Sequence, residues 1–319
     1  MKVHLTREIL QTLEPLFKVD SFNFLNGNST GTLRLFKLLN SLPIRIEQDD
    51  DLINLLRETA GNANPVSYEL QILRTALKGT RLLKPNQDLE STYVLAIKDN
   101  TAAQLLKKGI ISLGPSFSGK DFYNNSTYTD IQIDTDWIKT NSFPPANSLL
   151  LLDHYCFGNP FSKKIEALTC FITNLTQSIT VDFHLTIIFS SEKNSKPTCT
   201  PQRMDEAFEL LSHIKNCKVQ LICNNSLDHH DRIFYTNYTK GSFGRGVPWK
   251  NVSTRFNQQF LGSGEDEIQI RNNYFAYKQE LGRWNNYIES IPEEIGLVKM
   301  RWEEPGFRNR IFTPVIDVT

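Results

Sequence analysis

The sequence predicts an α/β fold: a mixed, largely parallel sheet flanked by helices, preceded by a mainly helical N-terminal part. Three observations carry this. From Ser148 onward, apolar runs of strand length alternate with amphipathic helical stretches, the pattern of a parallel sheet covered by helices. Before Gly114, helical stripes dominate. Between the two, residues 114–147 are rich in Ser, Asn, Thr and Pro, which reads as a linker or long loop. The organisation expected is therefore an accessory or recognition domain over 1–113, a loop over 114–147, and an α/β domain with a C-terminal extension over 148–319.

The N-terminal helices are read from spacing. Ile9, Leu10, Leu13, Leu16 and Phe17 form one helical stripe. Leu33 to Leu42 repeats it and ends at Pro43. A third helix starts at Asp50-Asp51, acids suited to a helix N-terminus, and a fourth covers Tyr68 to Leu77. Tyr93 to Ile97 and Ile110 to Leu113 are strand-like, around a short helix from Thr101 to Lys108.

Later elements are clearer. Leu149 to Leu152 is an unbroken apolar run, as a strand buried on both faces requires. A helix follows, with Ile165, Leu168, Phe171, Ile172 and Leu175 on one side. Val181 to Phe189 is a second strand and Gln202 to Lys215 a second helix, carrying Met204, Phe208, Leu211 and Ile214. Val219 to Cys223 and Ile233 to Thr236 are further strands, followed by a glycine-rich turn at Gly241, Gly244 and Gly246. A last helix is expected from Tyr274 to Ile288, then strands from Leu297 to Trp302 and from Arg310 to Val318.

Composition excludes some functions. Lys plus Arg equals Asp plus Glu at 35 each, so no global field draws the chain to nucleic acid or anionic membrane. Any such affinity must be local. No apolar run is long enough to span a bilayer, and Met1 to Glu8 lacks a signal peptide's apolar core. The five cysteines form no CxxC, so neither a zinc site nor a disulfide framework is expected. Cys156, Cys170, Cys217 and Cys223 sit in apolar runs as buried thiols, and a reducing cytoplasmic location is expected. No metal or cofactor is expected.

Two glycine motifs are rejected. Gly114 to Lys120 has P-loop spacing, but Asp121 stands where a magnesium-binding hydroxyl would be needed, and the residues beyond it are poor helix formers. Gly241 to Gly246 resembles half of a dinucleotide fingerprint but opens no helix. It reads as a tight turn that, with Lys240, Arg245 and Lys250, could receive an anion.

The most informative segment is His229-His230-Asp231-Arg232. On an extended segment, His230 and Arg232 face the same side. An imidazole beside a guanidinium suits the grip and attack of a phosphate. Asn237 lies five residues beyond Arg232, and Asp153 closes the first buried strand, where α/β sheets gather ligands.

His230-x-Arg232-x4-Asn237 resembles the phospholipase D signature, His-x-Lys-x4-Asp. With Leu149 to Tyr155 and Phe243-Gly244-Arg245-Gly246, it looks most like the MIT C-terminal branch of the phospholipase D-like domains, over about residues 148–252. The resemblance implies a phosphodiester or phospho-headgroup site. His230 would be the nucleophile, and Arg232 and Asn237 would hold phosphate oxygens. Lys240, Gly244, Arg245 and Gly246 would support the anion, and Asp153 would orient one of the basic groups. Two such motifs are needed for turnover and this chain carries one, so a homodimer is implied. The substrate could be nucleic acid, as for a nuclease, or anionic phospholipid. The rival class is a non-catalytic module that binds such headgroups or a protein partner.

Overall fold

The computed structural model describes residues 2–5, 44–47, 81–83, 92–95, 107, 109, 112–113, 129–131, 146–193, 196–197, 199–225, 232–244, 247, 254–260, 267–291, 294–295 and 299–312. The chain divides into two compact units. The first comprises residues 1–106, 110–124 and 261–276, the second 107–109, 125–260 and 277–319.

The first unit contains a five-stranded sheet of β1 (Lys2–Leu5), β2 (Ile44–Glu47), β3 (Arg81–Leu83), β4 (Thr92–Leu95) and β5 (Ser112–Leu113). Every neighbouring pair is parallel, in the order β3-β2-β1-β4-β5. β4 and β5 fall where strands were expected. β1, β2 and β3 were not expected: at three or four residues, with Lys, His and Arg interspersed, they give no clear periodic signal. The expected helices at 7–17, 33–42, 50–58 and 68–77 lie outside the described residues.

The second unit is α/β, as expected. Its sheet has nine strands: β6 (Thr129–Ile131), β7 (Ser148–Leu152), β8 (Phe183–Phe189), β11 (Cys217–Asn224), β12 (Ile233–Thr236), β13 (Thr239–Phe243), β14 (Thr254–Phe260), β15 (Glu294–Ile295) and β16 (Lys299–Glu303). A two-residue pair, β9 (Glu192–Lys193) and β10 (Lys196–Pro197), stands apart from it. At the centre β11, β8 and β7 run parallel, joined by the helices α1 (Phe161–Thr176) and α2 (Pro201–Ser212). β12 pairs antiparallel with β7, and β13, β14 and β6 extend the sheet antiparallel beyond it. On the far side β16 lies antiparallel to β11.

Two layers cover this sheet. α1 and α2 bury Phe171, Ile172, Met204 and Leu211 against Leu149, Leu151, Leu185, Ile187, Val219 and Leu221. On the same face Phe234, Phe243 and Phe256 of β12, β13 and β14 gather, with ring centroids 5.0 to 5.7 Å apart. The other face meets α3 (Glu267–Glu289) through Tyr277 and Glu280, and a short 3-10 helix (Arg310–Phe312). That helix replaces the strand expected to begin at Arg310. Buried Asn309 donates to the Leu149 and His184 carbonyls and to Thr186 Oγ1, while its own Oδ1 accepts from Ile311 N at 3.0 Å. Those bonds hold the backbone in a turn. Residues 313–318 lie outside the described residues.

Local signals set the helix ends. Thr200 Oγ1 caps α2 by accepting from Arg203 N, with Pro201 at the first helical position. α2 stops at Ser212, short of the expected Lys215, and the chain turns at Asn216 with φ 60°. Asn tolerates this left-handed conformation, and Asn216 Nδ2 donates to the Ile179 carbonyl at 2.9 Å. α3 begins seven residues before the expected Tyr274.

The glycine-rich segment differs from the expected turn. Gly241 lies inside β13, and the hairpin tip is Asn237-Tyr238. Phe234 lies across Gly241, so a Cβ there would meet its ring and the Asn257 carbonyl. Cys156, Cys217 and Cys223 are buried as expected. Cys170 is half-buried, and Cys199 is a further buried thiol. No helix of the described residues is long and apolar enough to cross a membrane.

Candidate functional site

Because β7, β8 and β11 are parallel, their carboxyl ends line one edge of the sheet, where ligands of open α/β sheets collect. Asp153 follows β7 at this edge. Its N–H donates to the Ile188 carbonyl at 3.0 Å, and its side chain is almost wholly buried. β12 returns antiparallel to β7 with Ile233 opposite Leu152, so the next position brings Arg232 opposite Asp153.

Arg232 Nε stands 3.4 Å from Asp153 Oδ1. Nη1 of Arg232 donates to the Gly244 carbonyl at 2.7 Å, and the guanidinium carbon lies 5.3 Å from the centre of the Tyr155 ring. A carboxylate, a carbonyl and an aromatic face thus hold one cation. The Arg232 side chain keeps 21% of its surface exposed, against 3% for Asp153.

Burial pushes the Asp153 carboxyl up from its ordinary range. The Arg232 charge is the largest opposing influence, followed by the Tyr155 N–H that Asp153 Oδ1 accepts at 2.9 Å. Lys164, in the first turns of α1, adds a weaker positive influence and donates to the Tyr155 carbonyl at 2.6 Å. Burial and the nearby Asp153 push the Cys156 thiol well up, so it carries no thiolate here.

Asn225, just beyond β11, ties the same edge together. Its Oδ1 accepts from Ser190 Oγ at 2.9 Å and Ser191 N at 2.8 Å, while Nδ2 donates to Ser191 Oγ at 2.9 Å. Sequence reasoning missed Lys164, Ser190 and Asn225. Their signal was position: Ser190 and Asn225 follow apolar strands, and Lys164 opens the helix after Asp153.

The other expected site residues are distributed differently. Asn237 does not join Arg232. The register that sets Arg232 opposite Asp153 sets Asn237 opposite Ser148, at the other end of β12 and about 17 Å along the strand. There Asn237 is buried, and its Oδ1 accepts the Asn147 and Ser148 N–H groups, both at 3.0 Å. Lys240 donates to both carboxylate oxygens of Glu280 on α3, at 2.8 and 2.7 Å. Gly244 contributes its carbonyl to Arg232. His230, Arg245, Gly246 and Lys250 lie outside the described residues, as do His229, Asp231 and the P-loop-like segment.

A cleft of about 390 Å³ opens beside Arg232, on the sheet face that carries α3. Its floor is a grid set by strand register: Ile233, Ser242 and Asn257 lie side by side across β12, β13 and β14, and Lys240 and Gln259 form the next row. The floor is polar because its opposite side, at Phe234, Phe243 and Phe256, already supplies the core.

An exposed guanidinium flank held by a buried counter-ion can donate to phosphate or carboxylate oxygens. Asp153 is enclosed and engaged, so its chemistry is that of a positioning group. Among the described residues no three His, Cys, Asp or Glu side chains gather as metal ligands. Compared with known proteins, the chain matches no family model and no curated protein.

Proposed function

We propose that the second unit recognises a phosphodiester through Arg232, as a phospholipase D-like domain working in the cytoplasm as a homodimer. The observation that carries this reading is the Asp153–Arg232 pair, which orients a part-exposed guanidinium beyond the carboxyl end of β7. His230 precedes Arg232 by two residues in the sequence.

In the reaction, His230 attacks phosphorus and one ester oxygen leaves, taking its proton from the His230 of the second copy. Water then attacks the phosphohistidine, returns a proton to that second histidine, and frees the phosphomonoester. Arg232 compensates the charge on the non-bridging oxygens.

Release of 4-nitrophenolate from bis(4-nitrophenyl) phosphate tests this. His230→Ala is expected to reduce turnover to the uncatalysed background, and turnover retained in that variant refutes the assignment. Sedimentation equilibrium checks the dimer.

Binding without turnover is the second reading, whether the phosphate comes from a headgroup or a protein partner. It is favoured by the commitment of Asn237 to the β7 backbone and of Lys240 to Glu280, which leaves fewer groups to stabilise a transferring phosphoryl. Inorganic phosphate bound by a protein that hydrolyses no phosphodiester would select it.

A further inference from the structure

We infer that the cleft on β12–β14 is a nucleoside subsite, so that the phosphodiester read by Arg232 carries a nucleoside on one ester oxygen rather than belonging to a phospholipid. This rests on the proposed phosphate-reading role of Arg232 and adds the group attached to that phosphate.

The cleft and the cation share a residue. Arg232 lines one end of the cleft, while Ser242, Asn257, Gln259 and Lys240 lie along its floor. A volume of about 390 Å³ falls within the usual range of small-ligand sites, about 300–1,000 Å³. Neighbouring strands are about 4.8 Å apart and alternate residues about 6.8 Å, so the four floor side chains enclose a small rectangle. Two of them are primary amides and one is a hydroxyl. Amides carry donors and acceptors together and match the edges of a base, and a hydroxyl matches a sugar oxygen.

Charge divides the cleft in the same sense. Lys240 is compensated by Glu280, which also accepts from Tyr235 OH at 2.8 Å. The Lys240 ammonium lies 5.8 Å from the centre of the Tyr235 ring. This inner end therefore favours a neutral, hydrogen-bonding group, while Arg232 stands where β12 begins, so an anion reaching round that strand end would meet its guanidinium. A nucleotide has that polarity, with phosphate at one end and a neutral heterocycle at the other.

A lipid surface needs the opposite. Docking of acyl chains requires exposed apolar side chains near the headgroup site. Among the described residues two large hydrophobics are exposed, Leu210 on α2, across the sheet from the cleft, and Phe275 on α3, and two single side chains make no apolar patch.

The test uses the full chain and titration calorimetry with three probes: inorganic phosphate, glycerol 3-phosphate and adenosine 5′-monophosphate. Vesicles containing phosphatidylserine provide a fourth arm by co-sedimentation. The monophosphate is expected to bind at least about tenfold more tightly than the other two. The triple variant Ser242→Ala, Asn257→Ala, Gln259→Ala is expected to lose that advantage and keep its affinity for inorganic phosphate. Its circular dichroism spectrum and unfolding midpoint report whether it has folded. If it has not, the single variant Gln259→Ala, at the most exposed of the three positions, carries the test with a smaller expected loss.

Equal binding of all three probes overturns the subsite and leaves phosphate recognition standing. So does an advantage that survives the triple variant. Vesicle binding at the expense of nucleotide binding overturns the subsite in favour of a headgroup. Failure of every probe to bind overturns the phosphate role of Arg232 itself.

Discussion

Arg232 and Asp153 face each other one position beyond the last antiparallel pair of β12 and β7, with Nε and Oδ1 3.4 Å apart. Seventy-nine residues separate them in the chain, yet one strand register sets both their pairing and its isolation from Asn237. The carboxylate is deeply buried and the cation is not, so the two partners depend on the pair unequally.

Removing the cation leaves an uncompensated buried carboxylate. Arg232→Ala is expected to cost about 3–5 kcal/mol of stability at neutral pH, measured by urea unfolding. The sign of the pH dependence follows from Asp153. Its folded-state pKa lies above the unfolded value of 3.8 and rises further without Arg232, so the folded protein binds the proton more readily than the unfolded chain. The deficit of Arg232→Ala should therefore shrink as pH falls from 7 toward 4. A deficit that grows over that range would contradict the assignment.

Asn237→Ala separates a structural role from a phosphate-binding one. Two buried N–H groups, of Asn147 and Ser148, would lose their acceptor, at a cost of about 2–4 kcal/mol. Phosphate affinity of the folded fraction is expected to stay within about twofold of the parent, a difference of under 0.5 kcal/mol. Unfolding and phosphate titration on one preparation check both.

Gly241→Ala tests the close approach of Phe234. The added methyl meets the Phe234 ring and the Asn257 carbonyl, and overpacking of this kind costs about 1–3 kcal/mol. Combining it with Phe234→Leu should relieve only the ring contact. A double-mutant cycle is expected to show coupling between the two positions but incomplete rescue.

His184 makes the fold acid-sensitive. Burial, and then the charge of Arg310, lower its pKa to about 4 from 6.5, with a weaker lowering by Lys218 and small opposing influences from the Arg308 backbone and Asp182. The neutral ring accepts from Arg310 N at 3.1 Å. Between pH 6.5 and 4 the unfolded chain binds a proton that the folded protein refuses, so stability falls as pH falls through that window. His184 is part-exposed, so the loss is on the order of 1–2 kcal/mol after screening. His184→Gln, which keeps an acceptor, should flatten the urea-unfolding profile between those pH values.

The central α/β unit was legible because its signals are dense. β7 carries four leucines in a row, and β8 and β11 are mostly apolar and almost wholly buried. α1 and α2 carry apolar residues at helical spacing. β13 and β14 were not legible. Thr239–Phe243 and Thr254–Phe260 are mostly polar, and they become strands because Phe243 and Phe256 complete an aromatic cluster begun by Phe234. The Arg310 segment carries a strand-like apolar pattern, but Asn309 overrides it through partners more than 120 residues away.

By itself, the sequence determined which segments of the second unit must be buried and that Asp153 ends its first buried strand, because hydrophobic periodicity is local. Tertiary structure alone decided what meets at the site. Antiparallel register put Arg232 on Asp153, and it sent Asn237 to the far end of the same strand. α3 brought Glu280 to neutralise Lys240. Such partnerships depend on which strand ends share an edge, and side-chain spacing along one chain carries no record of that.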